Sequence, residues 1–245
     1  MILERKKIFL RGIRYILEDI PDTDMLKKKY QMITILTYDN IKLNGFTVRK
    51  KKTPLVDLSR IEAEIFNSFH DTTRNEIRRT EKIAGMEFVS DDKNIDEAYN
   101  LYRMHEQAQG RKPEKREEFI GTKIFSAYYK NEMISTVICF DSPKILRAKA
   151  ISSKRLEHDD KEIRKIISFS SRRIMWEICK YGKKHGYSGF DLGSINLSDP
   201  KKESIARFKM TFGGGIVDEY LYIYKSRFFE VFEKAVKIRN KLYAR

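Results

Sequence analysis

Apolar residues change their spacing several times along this chain, and each change predicts an element. Gln31–Tyr38 is an apolar, β-branched run that predicts a strand, and Lys42–Lys52 is a basic stretch around Asn44-Gly45, a hairpin signal. From Leu58 the period becomes helical, with Ile61, Ile65 and Phe69 on one face, and a second helix is expected near Thr73. Thr73-x-x-Glu76 has capping-box spacing, and Asn94-x-x-Glu97 has it ahead of Ala98, Leu101 and Tyr102. Met86–Val89 reads as a short strand. Lys123–Lys130, Met133–Phe140 and Ile145–Ile151 read as three more, the first two forming an antiparallel hairpin across Asn131-Glu132. A long helix follows from about Lys161 to Lys184, with Ile163, Ile166, Ile167, Ile174 and Ile178 at helical spacing. After Gly186 come a strand at Tyr187–Leu192, a helix at about Pro200–Thr211, a strand at Ile216–Tyr224 and a terminal helix carrying Phe228, Val231, Phe232, Ala235 and Val236.

The expected architecture is mixed α/β, a mostly antiparallel central sheet flanked by helices. Residues 1–57 form a strand-rich extension and residues 58–245 the main domain. At 245 residues and 41% hydrophobic content the chain can bury a substantial core. Its net charge of +15 points to an anionic partner. Cys139 and Cys179 lie in apolar surroundings without CxxC spacing, which reads as buried thiols. The four histidines show no metal-ligand spacing, so no metal and no bound cofactor are expected. Arg5, Lys6, Lys7, Arg11 and Arg14 interrupt the apolar residues of the N-terminus, and no run reaches the ~18 to 20 apolar residues of a membrane span. The expected location is cytoplasmic, with peripheral attachment to an anionic leaflet compatible with the charge.

Tyr187–Gly215 concentrates the candidate chemistry. Asp191 sits in the strand between Phe190 and Leu192, and Gly193 follows it. Asp199-Pro200 supplies an N-cap and a first-turn proline for a helix that ends Phe208-Lys209-x-x-Phe212-Gly213-Gly214. Ile205, Phe208 and Phe212 make one apolar stripe with Lys209 at its edge, so Phe208 reads as core by spacing and Lys209 as either a surface cation or a cation at a pocket mouth. Gly213, Gly214 and Gly215 read first as a helix terminator. Upstream, Arg74, Arg78 and Lys82 recur every four residues as a basic stripe, either a solvated face or a phosphate contact.

These two segments together resemble the Fem-type (FemAB) transferases of the GNAT superfamily. Thr53–Leu58, then Thr73-Arg74-Asn75-Glu76-Ile77-Arg78, and later Phe190-Asp191-Leu192-Gly193 and Phe208-Lys209-x-x-Phe212-Gly213-Gly214, stand in the family's order across residues 53–225. The resemblance implies a GNAT-like N-acyltransferase fold. Between apolar neighbours at the end of its strand Asp191 reads as a base or, preferably, an orienting carboxylate, whereas the resemblance places Lys209 beside the reacting carbonyl as electrostatic stabiliser. It makes Phe208, Phe212, Gly213 and Gly214 the donor end, and Arg74, Arg78, Lys82 and Arg111 the phosphate or nucleotide contacts. Complete Fem-type enzymes contain two GNAT-like domains, whereas here only the C-terminal one is recognisable, which leaves the acceptor open.

The implied reaction forms an amide on an amine-bearing cell-envelope precursor or surface glycan. Its implied co-substrate is aminoacyl-tRNA. The alternatives are an acyl-CoA-dependent N-acyltransferase and a non-catalytic RNA-binding module. Ser152–Ser171, which corresponds to the coenzyme A pyrophosphate loop of ordinary GNAT enzymes, contains no glycine to free its backbone for that task.

Overall fold

The computed structural model describes residues 1–7 and 10–242. The chain divides into two compact units, Met1–Lys52 with Val217–Arg245, and Thr53–Ile216. The boundary lies five residues before the one expected at 57, and the last strand and helix group with the N-terminal strands instead of with the main domain. The reason is pairing, because the last strand bonds to a strand of the N-terminal segment.

In the first unit, β1 (Ile2–Lys7) and β2 (Leu10–Ile16) form an antiparallel pair. β2 runs parallel to β3 (Met32–Thr37), and β3 pairs antiparallel with β10 (Gly215–Lys225). The first half of β4 (Thr47–Asp57) lies along β10, with Lys50 paired to Asp218 at 2.8 Å. Asn44-Gly45 does make a turn, with Gly45 at φ +76°, but β10 separates β3 from β4, so the expected local hairpin is not formed. A helix that periodicity did not reveal, α1 (Thr23–Lys29), is capped by Asp22, whose carboxylate accepts from the backbone of Asp24 and Met25. Ile13, Tyr30, Ile33, Ile35 and Tyr222 form this unit's core. The terminal helix α7 (Arg227–Leu242) keeps Phe228, Val231 and Phe232 largely exposed.

The second unit holds the second half of β4 and the order β4-β9-β8-β7-β6-β5. Its remaining elements follow the chain closely. Helices α2 (Glu62–Asn67) and α3 (Asp71–Thr80) precede β5 (Met86–Ser90), and α4 (Ile95–Ala108) precedes β6 (Lys123–Tyr129), β7 (Glu132–Asp141) and β8 (Ile145–Ser153). Then come α5 (Lys161–Lys184), β9 (Gly189–Asp191) and α6 (Pro200–Met210). The β6–β7 turn is made by Lys130 and Asn131, both at positive φ, one residue earlier than the sequence suggested. Asn94 caps α4 as expected and bonds Glu97 reciprocally. Thr73 does not cap α3; the helix begins earlier, and Thr73 is buried within it.

The central strands are buried on both faces, which explains their unbroken apolar runs. On β6, Ile124 joins Ala98, Leu101 and Tyr102 of α4, while Phe125 on the other face joins Ile167, Ile174 and Ile178 of α5. Helix α4 therefore covers one side of the sheet, and α5 with α2 and α3 covers the other.

Candidate functional site

The site is created where two parallel strands separate. β8 and β9 pair over three positions only, ending at Arg147 opposite Asp191, although β8 stays paired with β7 to Ser153, past a register shift between Ala148 and Ala150. Beyond Asp191 the chain turns away, with Leu192 N–H bonding to Pro54 of β4 at 3.0 Å and Gly193 at φ +80°. A Cβ at Gly193 would stand 2.9 Å from the Ala148 carbonyl, so both the turn and its close approach to β8 require glycine. The β8 edge from Ala148 onwards is left without a strand partner among the described residues. It opens into a cleft of about 1030 Å³ between α4, β8, the start of α5, and α6.

Lys209 stands at the point of separation. Its ammonium donates to the carbonyls of Gly193 and Ser194, each at 3.1 Å, and lines the cleft. Helix α6 puts it there because Ala206 and Phe212 are fully buried on the adjoining face. Phe208 is half-buried, lines the cleft, and packs edge-on against Phe212 at 5.1 Å while the Arg172 guanidinium lies 5.4 Å from its ring centroid. The ring thus lies with one side packed on the core and one lining the cleft.

Asp191 is fully buried beneath this surface and does not line the cleft. It forms an ion pair with Arg147, accepts from the Thr53 hydroxyl, and accepts from Gly193 N–H at 2.7 Å. Arg147 also donates to Ser194 Oγ at 3.3 Å. A carboxylate bonded in this way holds the Gly193–Ser194 turn that Lys209 grips, and it has no access to a substrate proton. The base alternative for Asp191 is therefore replaced by the positioning one.

Three residues expected at the donor end belong to the packing. Phe212 is fully buried, against Phe69 at 5.4 Å. Gly213, at φ +67°, rests on the backbone of Ser68 with no room for a side chain, and a Cβ at Gly214 would stand 2.9–3.0 Å from the Leu55 backbone. Two close backbone contacts, not a phosphate cradle, account for this pair of glycines.

The upstream basic stripe also lies outside the cleft. Arg74 is folded back to cap α2, donating to the carbonyl of Asn67 at 2.8 Å and pairing with Asp71. Arg78 covers the Phe66 ring at 5.3 Å, and Lys82 is exposed beyond it. Arg111 does line the cleft, paired with Glu106 at 2.6 Å.

Apart from Lys209 and Arg111, the cations that line the cleft were not singled out in the sequence. Among its lining residues are eight lysines and arginines against two glutamates. Arg155, Arg164 and Arg172 come from the segment opening α5, and Lys202, Arg207 and Lys209 from α6. Arg172 is paired with Glu76 at 2.7 Å, and burial lowers its pKa. The guanidiniums of Arg155 and Arg164 have no hydrogen-bond or ion-pair partner among the described residues and also face a smaller adjoining hollow with Lys161 and Lys165. This glycine-free segment offers an anion its side chains where a glycine-rich loop would offer backbone. The only available signal was the density of cations in residues 154–173, which a helical period spreads around the helix.

His105 lines the cleft from α4, with Nδ1 3.3 Å from the Ser153 carbonyl and Nε2 2.5 Å from the Gln109 amide nitrogen. Desolvation lowers its pKa. Cys139 and Cys179 are buried, and burial raises both thiol pKa values, so neither is a poised nucleophile.

This mixed α/β arrangement, a large sheet flanked by helices, is shared with solved structures. The crystal structure of FemX is similar at a TM-score of 0.64 and 12% identity over 90% of this chain and 83% of that one. A domain assigned to the C-terminal part of a lysylphosphatidylglycerol synthetase from Agrobacterium fabrum matches at 0.59 and 12% identity, covering 97% and 84%. L-PGS from Bacillus licheniformis matches at 0.54 and 14%, covering 100% and 86%. No protein-family model matches the sequence, and no curated protein sequence is significantly similar to it. No described helix is long and apolar enough to cross a membrane.

Proposed function

We propose that this protein is an acyltransferase that forms an amide on an amine acceptor, taking the acyl group from an anionic donor, with aminoacyl-tRNA as the donor class. The observation that carries the reading is the position of Lys209, a cation fixed where β8 and β9 part and facing a cleft lined largely by cations. The structural likeness to FemX and to lysylphosphatidylglycerol synthetases supports the same reading at the level of fold.

Attack of an amine on an acyl carbonyl develops negative charge on the carbonyl oxygen, and a preorganised cation beside it lowers the barrier. Lys209 is preorganised because two carbonyls hold its ammonium, and the Arg147–Asp191 pair holds those carbonyls in turn. The unpaired β8 edge can hydrogen-bond an extended donor arm as a further strand would. Arg155, Arg164 and Arg172 bind the donor's phosphates, and Phe208 meets a terminal base. The acceptor is an amine borne by an envelope precursor or surface glycan.

The test incubates purified protein with aminoacyl-tRNAs and acyl-CoAs against nucleotide-linked amino sugars and peptidoglycan precursors, with mass spectrometry of the products. An amide product formed by the wild type and lost in Lys209→Ala supports the reading. Absence of product with every donor removes it. Product from acyl-CoA alone shifts the donor to coenzyme A, and RNA binding without any product leaves a binding module.

A further inference from the structure

The cleft is divided by charge. Both of its carboxylates, Glu106 and Glu114, come from α4 and the segment after it, whereas six of its cations come from residues 155–209. An anionic donor is thus drawn to the wall with the six cations, while the carboxylates stand on the other. On the acidic wall the two carboxylates differ. Glu106 is bound by Arg111, next to it on the same wall. Glu114 reaches across to β8, pairing with Lys149.

The backbone of Glu114 is held at both polar atoms. Its carbonyl accepts from the Tyr99 hydroxyl at 3.0 Å, and its N–H donates to the Tyr102 hydroxyl at 3.0 Å. Both tyrosines stand on α4, and both pack on Phe119. A residue outside any helix or strand is thereby fixed in place while its side chain remains half exposed to the cleft. Lys149, its partner, has its ammonium 4.5 Å from the Phe119 ring centroid and 4.9 Å from that of Phe140. Lys149 follows Ala148, whose carbonyl lies against Gly193, and Gly193 is one of the two residues gripping Lys209. Glu114 is therefore tied through Lys149 to β8 just past the point where the strands part, and it lines the same cleft as Lys209.

We propose that Glu114 is the general base that receives the acceptor's ammonium and deprotonates it, an assignment that rests on the acyltransferase reading. The ammonium transfers one proton to the Glu114 carboxylate, which releases it to solvent. The neutral amine nitrogen then attacks the acyl carbon, and a C–N bond forms. Collapse of the tetrahedral intermediate breaks the bond from that carbon to the donor oxygen, and the nitrogen's second proton goes to the departing oxygen. The products are an amide, a free hydroxyl on the donor and one proton. Charged or titratable groups around Glu114 include Lys149 from β8 and Tyr99 and Tyr102 from α4, with Glu106 acting on the same Tyr102.

The assignment is tested with two acceptor amines of nearly equal size, ethylamine, which is protonated at neutral pH, and 2,2,2-trifluoroethylamine, which is largely not. Aminoacyl-tRNA serves as donor and the enzyme-free rate is subtracted. Removing a general base costs on the order of 10² to 10⁴ in rate when the proton must be taken. Glu114→Gln is expected to slow transfer to ethylamine about 100-fold or more and transfer to trifluoroethylamine by under about 10-fold. Glu114→Asp restores part of the ethylamine rate, and Lys149→Met, which breaks the same ion pair, does not reproduce the difference between amines. Equal fractional losses on both amines, or no loss, overturn the assignment while leaving the transferase reading intact. Failure of the wild type on both amines, and on the amino sugars and precursors above with every donor, removes that reading and this assignment together.

Discussion

Arg147 and Asp191 face each other across the last rung of the β8–β9 ladder, and their buried ion pair stands where the two strands separate. The pair converts a fold feature into a site, because Asp191 also holds Gly193 N–H and Arg147 holds Ser194. The Gly193 and Ser194 carbonyls that Lys209 grips hang from this contact.

Removing one partner of a buried ion pair leaves an uncompensated charge, at a cost of about 3–5 kcal/mol. Arg147→Met and Asp191→Leu are each expected to lower the unfolding free energy by that order in urea titrations. The double variant should lose less than the two together, and strict additivity would show that the pair is not coupled.

Lys209→Ala removes a charge aimed at the developing oxyanion, and loss of one such donor costs about 3 kcal/mol in the transition state. The expected result is a fall in kcat of roughly 100- to 1000-fold with donor affinity changed only a few-fold. Circular dichroism should show an intact fold, since α6 is anchored by Ala206 and Phe212.

Arg155 and Arg164 are assigned to phosphates, and removing a cation that neutralises one phosphate should reduce the salt dependence of binding by about one. The double alanine variant is therefore expected to lower the slope of log affinity for tRNA against log salt by about two. Arg74→Ala, folded back on α2, should leave that slope unchanged and reduce thermal stability instead.

Gly213 sits at φ +67° against the Ser68 backbone. An alanine there costs at least about 1–2 kcal/mol for the left-handed conformation, before any clash. Thermal denaturation of Gly213→Ala should show a clear fall in Tm. Gly215→Ala, where an added Cβ meets nothing within 4 Å, should not.

Burial lowers the His105 pKa, so the unfolded chain takes up a proton there at a higher pH than the folded one does. Stability from this group is present above the unfolded value of about 6.5 and is lost as pH falls through the lowered folded value. Comparing His105→Gln with wild type in denaturant between pH 7 and 5 should show a shallower decline for the variant.

Much of the fold was legible because strands buried on both faces and a 24-residue helix leave long, unambiguous apolar patterns. α1 was missed because none of its residues is buried, so no periodic face records it. The hairpin expected at Asn44-Gly45 failed because turn chemistry specifies a reversal but not which strand fills the neighbouring position, and β10, from far along the chain, fills it. Lys209, Phe208 and Arg111, named from motif and resemblance, line the cleft. Phe212, Gly213 and Gly214 belong to the same motif for a packing reason that sequence spacing does not separate from a binding one.

By itself the sequence determined most of the elements beyond residue 57, their order and the chain's own net charge, since local periodicity and composition act over a few residues at a time. Only the tertiary structure decided which cations share a cleft. Arg155, Arg172, Lys209 and Glu114 meet because two strands part after Arg147 and Asp191, and that separation depends on contacts between segments up to 138 residues apart, Thr53 to Asp191 among them.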